Sequence, residues 1–274
     1  MSEFYKRTLT GVVFGVVIYG SLFAGSLAFV LVYPALMVIA LLEFLNLEGT
    51  GTTPARKITA ALVALTLFFL VHGYASGGIG AGWLTLLFLL PPLVMISELY
   101  LGRGKPFEKV GIQFLGIIYV ALPLSLLNLL VYPGAVTGAG YYPGILAGVL
   151  IMIMVNDTAA YLVGVSFGRN RLFARISPGK TWEGTIGGAF FTLGAAWFMT
   201  HLFPVMDMYQ WIPAGAIVIV FGIYGDLVES MIKRQLGVKD SGSMLPGHGG
   251  VLDRIDAWLL VFPAILVYLR LVLN

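Results

Sequence analysis

Residues 229–256 bring together the kinds of side chain that phosphate and metal chemistry requires. This segment carries eight charged side chains and one histidine in a chain that is otherwise largely apolar. The four cations are Lys233, Arg234, Lys239 and Arg254, and the four carboxylates are Glu229, Asp240, Asp253 and Asp256. Cations bind phosphates, carboxylates bind hard metal ions, and glycines let the backbone approach a ligand closely. So dense a polar cluster within an apolar chain predicts a functional site.

One helix face at the start of this segment carries two carboxylates, a hydroxyl and an ammonium. Asp226, Glu229, Ser230 and Lys233 follow the i, i+3, i+4, i+7 spacing of a single helix face. Asp226 lies inside an apolar run, where an unpaired carboxylate is costly. The structural alternative is an ion-paired helix end that reaches the membrane interface. We predict instead that Asp226, Lys233 and the adjacent Arg234 act in catalysis. Ser230 would contact the substrate.

The carboxylates also predict a metal site. Asp253 and Asp256 are three residues apart and share a helix face just before the last apolar run. Acidic residues in a first helical turn also complement the helix dipole, by about 0.3–1 kcal/mol each, which is the structural alternative. Beside Asp226, however, these carboxylates would repel one another unless a cation joined them. We predict that Asp226 and Asp253 bind a metal, with Asp256 as a third catalytic ligand or a partner of the ligands. The chain has no cysteine, so magnesium fits best, with a second cation left open.

The loop between these two helices is rich in glycine and contains the sequence PGHGG at residues 246–250. Glycine N–H groups can approach a phosphate without hindrance from a side chain. A lone histidine is more often a structural hydrogen-bonding residue than a catalytic base, and both roles stay open for His248. We predict that His248, Gly249 and Gly250 contact the substrate. Lys239 would bind it as well.

A second polar segment, SPGKTWEG at residues 177–184, leads directly into an apolar run. Its Gly-Lys-Thr triplet invites comparison with the P-loop, but Ala174 stands where that motif requires a glycine, and no strand is expected before it. A lysine and a hydroxyl at a helix N-terminus can still bind a phosphate. We predict that Lys180 does so.

Two further polar residues, Asn156 and Asp157, lie within a long apolar run. Structural pairing is the alternative, but burial of an unsatisfied charge is costly, so we predict that both line a polar, substrate-binding cavity. Small residues four apart, at 164 and 168 and at 184 and 188, permit close helix packing.

The composition predicts an all-α polytopic membrane protein. The chain has 274 residues, of which 59% are hydrophobic and 11% charged, against about 25% charged in soluble domains. A net charge of +3 gives no reason to expect a nucleic-acid partner. With about 20 apolar residues for each spanning helix, we predict nine spans in a single membrane domain over residues 1–274. Their approximate bounds are 9–25, 27–47, 58–74, 83–96, 111–132, 142–167, 185–203, 211–231 and 257–273.

The distribution of basic residues predicts the orientation of these spans. If the N-terminus is cytoplasmic and nine helices cross, 15 of the 16 lysines and arginines fall in inner loops, and Arg270 lies near the outer end of the last helix. Short loops rich in these residues are typical of the cytoplasmic side. We therefore expect a site that faces the cytoplasm from the inner (plasma) membrane. We also expect the first span to be an uncleaved helix and not a signal peptide.

The order of these motifs resembles one family. The run SMIKR at 230–234, KD at 239–240, LPGHGG at 245–250 and DRID at 253–256 is similar to the signature of the phosphatidate cytidylyltransferases, also called CDP-diacylglycerol synthases. The segment at 177–184 also resembles part of that family, and no signature position departs from it. The resemblance implies transfer of a cytidylyl group from CTP to phosphatidic acid within the bilayer, with magnesium, by a homodimer.

Two other classes of protein are alternatives to this resemblance. Other membrane transferases act on lipid phosphates, but the Asp-Gly-x-x-Ala-Arg and Asp-x-x-x-Asp pattern of CDP-alcohol phosphotransferases is absent. A secondary transporter would use Asp157 and Asp226 as an ion relay. Transporters usually show broken helices in repeated halves, whereas the polar residues here gather toward one end.

Overall fold

The computed structural model describes residues 3–47, 51–101, 105–134, 140–242, 244 and 249–272. Its α-helices are α1 (Glu3–Phe23), α2 (Ser26–Asn46), α3 (Pro54–Ala75), α4 (Leu90–Leu101), α5 (Pro106–Gly116), α6 (Leu122–Val131), α7 (Gly144–Phe167), α8 (Trp182–Leu202), α9 (Met208–Gln235) and α10 (Leu252–Val272). A 3-10 segment, Ala81–Leu89, leads into α4, and a π-helical segment, Ile117–Ala121, joins α5 to α6. Two short strands, β1 (Arg171–Phe173) and β2 (Ser177–Thr181), precede α8.

Several of these helices are long and apolar enough to cross a bilayer, as an all-α polytopic membrane protein requires. Seven such segments are present in the part of the chain that the structure describes: Ser26–Asn46, Pro54–Ala75, Ala81–Leu101, Pro106–Val131, Gly144–Phe167, Met208–Gln235 and Leu252–Val272. The other two predicted spans fall on α1, which holds a shorter apolar stretch at Leu9–Phe23, and on α8. The predicted number of nine crossings therefore stays a prediction.

The two strands form a hairpin that the sequence analysis did not anticipate. They are antiparallel, with Arg171 opposite Thr181. The Glu183 carboxylate closes the base of the hairpin, because it accepts hydrogen bonds from the backbone N–H of Arg169 at 3.0 Å and from the Asn170 side chain at 2.7 Å. Thr181 then caps α8 by accepting from the Gly184 N–H at 3.1 Å. The hairpin thus places Lys180 at a fixed position directly before α8.

Small residues allow α7 and α8 to pack closely. A Cβ atom added at Gly184 would lie 2.6 Å from the Ala160 carbonyl oxygen and 3.1 Å from the Gly164 Cα. One added at Gly188 would lie 3.0 Å from the Asn156 carbonyl oxygen. The close packing predicted from the small-residue pairs is confirmed at these glycines. It brings the second half of α7, which includes Asn156, against the start of α8.

The crossing of α9 and α10 is equally tight and depends on Gly225. A Cβ atom there would lie 2.8 Å from both the Ala257 Cα and the Asp256 carbonyl oxygen. These are backbone atoms, so they cannot move aside as a flexible side chain would. The crossing places the carboxylates that flank it, Asp226 and Asp256, side by side.

Replacement of Gly225 by valine is expected to lower both stability and activity. Overpacking of this kind costs about 1–3 kcal/mol, and it would separate Asp226 from Asp256. We expect a lower unfolding temperature in detergent, measured by tryptophan fluorescence, and turnover reduced by about tenfold or more. Gly194→Val on α8 is the matched control, because a Cβ at Gly194 would meet nothing within 4 Å. Equal effects of the two substitutions would contradict the prediction.

A buried polar network joins the helices of the N-terminal half. The Arg56 guanidinium on α3 donates to the Glu98 carboxylate on α4 through Nε, at 2.6 Å, and through Nη2, at 2.9 Å. Gln113 on α5 donates to the same carboxylate at 3.2 Å. All three side chains are buried. This network fixes the positions of α3, α4 and α5 relative to one another.

Candidate active site

A cavity of about 520 Å³ opens where α7, β2, α8 and α9 meet. Its polar lining residues are Asn156, Asp157, Lys180, Thr181, Thr185 and Asp226. Much of the remaining wall is formed by glycines, which leave room for a ligand and expose the backbone. The structure therefore places Asn156 and Asp157 in the wall of the same cavity as Lys180 and Asp226.

Lys180 and Asp226 form an ion pair across the cavity. The Lys180 ammonium donates to the Asp226 carboxylate, which lies 46 residues later on α9. Both side chains are about one quarter exposed, at 27% and 26%, so a ligand in the cavity can reach them. Asp157 on α7 interacts electrostatically with both. The Lys180 ammonium thus interacts with carboxylates from two helices, Asp157 on α7 and Asp226 on α9.

Three carboxylates lie near one another at the crossing of α9 and α10. The Asp256 side chain interacts with those of Asp226 and Glu229, and its Oδ1 accepts from the Ala257 N–H at 2.8 Å. Asp226 and Glu229 were predicted to share one helix face. Their common neighbour, Asp256, is consistent with this shared face. Asp226 is therefore the residue shared by the cavity and the helix crossing.

Lys233 bridges two further carboxylates. Its ammonium lies 2.6 Å from the Glu229 Oε2, one helical turn earlier, and 2.7 Å from the Asp253 Oδ1 on α10. Glu229 is 2% exposed, and its Oε1 has no hydrogen-bond partner among the described residues. The sequence analysis did not count Glu229 among the site residues, although its i, i+4 spacing from Lys233 was a usable signal.

The Asp253 carboxylate holds the loop that precedes α10. Both of its oxygens accept from the Ser241 N–H, at 3.1 and 3.0 Å, and Oδ2 also accepts from the Gly250 N–H at 2.7 Å. Together with Lys233 these donors satisfy the carboxylate. Gly249 has a φ of 79°, and a Cβ there would lie 2.6 Å from the Asp253 Oδ2. Only glycine fits that position readily.

The three predicted metal ligands are not gathered into one cluster. Asp226 and Asp256 are neighbours, but the Asp253 carboxylate is already bonded to Lys233 and to the loop. Among the described residues, no three His, Asp or Glu side chains are placed to hold a metal ion together. Whether Asp253 also binds a metal ion stays a prediction; in the structure its carboxylate accepts hydrogen bonds from Lys233 and from the loop amides of Ser241 and Gly250.

The remaining predicted residues lie at the edge of the site or outside the described part of the chain. Arg234 and Lys239 are exposed, and Ser230 is partly buried on α9. His248 lies outside the described residues, so its contact with substrate stays a prediction. The predicted phosphate-binding cations therefore divide into two that form ion pairs, Lys180 and Lys233, and two at the surface.

Glu43 is a residue that sequence reasoning missed. It lies near the end of α2 and is buried, with 7% of its surface exposed. Its Oε2 accepts a hydrogen bond from the Leu252 N–H, the first residue of α10, at 2.8 Å. The only signal in the sequence was an acidic residue within an otherwise apolar helix.

Comparison with known proteins places this arrangement in a family. A sequence model described as the cytidylyltransferase family matches residues 5–272. The chain belongs to this family. The resemblance drawn from the motifs is thereby confirmed, and the match covers all of the helices that supply the site.

Individual relatives of this cytidylyltransferase are similar over most of their length. It is 33% identical to a phosphatidate cytidylyltransferase of Staphylococcus aureus (strain COL), over 96% of this chain and 98% of the relative. It is 32% identical to a phosphatidate cytidylyltransferase of Bacillus subtilis (strain 168), over 99% of each. It is also 32% identical to the chloroplastic phosphatidate cytidylyltransferase 5 of Arabidopsis thaliana, over 97% of this chain and 71% of the relative.

Proposed function

We propose that this protein transfers the cytidylyl group of CTP to phosphatidic acid, giving CDP-diacylglycerol and pyrophosphate. The observation that carries the proposal is the similarity, over nearly the full chain, to bacterial proteins named phosphatidate cytidylyltransferase. The apolar helices provide the lipid environment that a phosphatidate-binding enzyme needs. The transferase names of these relatives favour an enzyme over the transporter alternative.

The chemistry of phosphatidate explains why a strong general base is not needed. Its phosphate monoester has a second pKa of about 6, so it already carries an anionic oxygen near neutral pH. We propose in-line attack of that oxygen on the α-phosphorus of CTP. The new bond joins this oxygen to the α-phosphorus, and the bond from the α-phosphorus to the leaving pyrophosphate breaks. The main obstacle is the approach of two polyanions.

Cationic side chains of the chain reduce this repulsion. Lys180 stands in the cavity wall on the hairpin, where we propose that it binds a phosphate. Lys233 lies at the α9 and α10 crossing, between Glu229 and Asp253. It would orient the loop residues that approach the substrate. Arg234 and Lys239 are exposed and would meet the more distant phosphates.

The donor set also suits magnesium. Mg²⁺ is usually bound by one or two carboxylates together with water and substrate phosphates. Asp226 and Asp256 form such a pair of neighbouring carboxylates, with Asp226 open to the cavity. We propose that these two residues hold the ion. When bound, it would neutralise phosphate charge and help to fix the geometry of the substrates.

We propose that the site faces the cytoplasm from the inner membrane. The ion pair of Lys180 with Asp226 joins the start of α8 to the end of α9, and the Glu43 contact joins the end of α2 to the start of α10. These are the helix ends that the distribution of basic residues assigns to the cytoplasmic side. A homodimer, implied by the family resemblance, is proposed as well.

The test is a transfer assay with purified protein in detergent. The protein is incubated with radiolabelled CTP, phosphatidic acid and magnesium, and the lipids are then extracted. We expect label in a lipid that runs with CDP-diacylglycerol, and none when phosphatidic acid is omitted. Label that stays entirely in the aqueous phase would reject the proposal.

A further inference from the structure

We infer that Glu43 is a positioning residue for cytidylyl transfer: it anchors Gly242 and Gly250, in the loop before α10, and the start of α10 itself. This inference rests on the proposed function. Glu43 lies on α2, outside every motif on which the family resemblance depends, and reaches a partner 209 residues away. It acts through Asp253 and Asp256, the carboxylates at the start of α10, without itself touching substrate.

Glu43 accepts a hydrogen bond from the beginning of α10. The first four N–H groups of a helix have no acceptor within the helix. The Glu43 Oε2 accepts from one of them, the Leu252 N–H, at 2.8 Å. A carboxylate at this end also interacts favourably with the helix dipole. Glu43 therefore fixes the turn of α10 that carries Asp253 and Asp256.

The loop backbone also fits closely around the Glu43 carboxylate. A Cβ added at Gly242 would lie 2.7 Å from the Glu43 Oε1, and one added at Gly250 would lie 2.5 Å from Oε2. Gly242 and Gly250 thus both lie directly against Glu43. The contact is possible because these two residues have no side chain.

Asp253 binds the same loop through the Ser241 and Gly250 backbone. The Ser241 and Gly250 N–H groups donate to Asp253, and Gly242 and Gly250 lie against Glu43. The loop backbone is therefore clamped between two carboxylates. Because Asp253 also binds Lys233, loss of the clamp on the Glu43 side would alter the polar cluster at the α9 and α10 crossing.

The charge of Glu43 strengthens the case for a role beyond packing. An ionisable side chain buried within an apolar helix is costly unless it is bonded, and no hydrogen bond of its Oε1 is present in the described part of the chain. A leucine would fill the same space in α2 without that cost. The Leu252 N–H that donates to Glu43, and the two glycines that lie against it, explain why a carboxylate occupies this position.

The first experiment compares Glu43→Ala with the parent in turnover and in hydrogen exchange. We expect turnover at saturating substrates to fall by about tenfold or more. Backbone amides of residues 241–256 should exchange at least about tenfold faster, while peptides from α3 and α7 stay as in the parent. Glu43→Gln, which keeps an acceptor for the Leu252 N–H, should recover at least about a third of parental turnover.

Glu98→Gln is the matched control. It removes another buried carboxylate of the N-terminal half, one that binds Arg56 and not the loop. We expect it to lower the unfolding temperature, with turnover of the folded protein and exchange of residues 241–256 close to the parent. If Glu43→Ala behaved in the same way, Glu43 would be a general stabilising residue and the inference would be overturned.

The second experiment is a double-mutant cycle with Gly242→Ala. The added Cβ would press on Glu43, so we expect the single substitution to reduce turnover by about tenfold. In the Glu43→Ala background the same change should cost less than about twofold, because the obstructing side chain is gone. Additive effects would overturn the inference. Should Glu43→Ala fail to fold, Gly242→Ala alone carries the test, and parental turnover and loop exchange in that variant would overturn it.

The two readouts separate failure of this inference from failure of the proposed function. If the parent protein makes no CDP-diacylglycerol, the proposed function fails. The exchange measurement needs no turnover, so it still tests whether Glu43 anchors the loop. If the parent is active and Glu43→Ala matches it in turnover and loop exchange, the positioning role alone is rejected.

Discussion

Replacement of Asp226 by asparagine is expected to reduce turnover by about a thousandfold, the equivalent of about 4 kcal/mol. Asp226 belongs both to the cavity wall, where it pairs with Lys180, and to the helix crossing, where it meets Asp256. Asparagine keeps the shape but removes the charge that a metal ion or Lys180 requires. Initial rates of lipid labelling, measured over a range of magnesium concentrations, test this expectation.

A control for this substitution lies at the other end of the same helix. Asp207 caps α9 by accepting from the Gln210 N–H at 3.0 Å, and asparagine is an equally good cap. We expect Asp207→Asn to retain turnover within about twofold of the parent. If Asp226→Asn kept more than about a tenth of parental turnover, the proposed role of Asp226 would be wrong.

Replacement of Asp253 by asparagine is expected to reduce turnover by about a hundredfold, for a different reason. The Asp253 carboxylate accepts hydrogen bonds from three donors, the Lys233 ammonium and the Ser241 and Gly250 N–H groups. An asparagine amide would direct its own NH₂ at one of these donors, and a buried donor without an acceptor costs about 1–3 kcal/mol. The loop backbone at Ser241 and Gly250 would then lose its fixed position.

Two measurements distinguish this role from direct metal ligation, which the sequence alone predicted for Asp253. If Asp253 holds the loop, the substitution should accelerate amide exchange in residues 241–252 and leave the magnesium concentration for half-maximal activity unchanged. If Asp253 is a ligand, that concentration should rise steeply while exchange stays as in the parent. Turnover above about a tenth of the parental value would contradict both roles.

Features that depend on local periodicity could be predicted from the sequence. Apolar runs marked the helices of the bundle, and i, i+4 spacing placed Glu229 and Lys233 on one face, where they form an ion pair. The polar residues Asn156 and Asp157 stood out inside an apolar helix and lie in the cavity wall. Such features need only the geometry of a single helix.

Features that depend on contacts between distant segments could not be predicted in this way. The helical spacing of Asp253 and Asp256 suggested a shared metal site, but it gave no sign that the loop amides of residues 241 and 250 bind Asp253. Strands of three and five residues are too short to show a clear alternating pattern, so the hairpin was missed. The partner of Glu43 is a backbone N–H, which no residue type reveals.

The bond from Glu43 to Leu252 also constrains how the protein is made. Ribosomes add about 5–20 residues per second, so the 209 residues between these partners take about 10–40 s to synthesise. Throughout that time the Glu43 carboxylate on α2 has no Leu252 N–H to bind, because that residue has not yet been synthesised. Insertion of α10 is therefore the event that supplies this partner, and chains truncated before α10 would leave the Glu43 carboxylate without the Leu252 N–H.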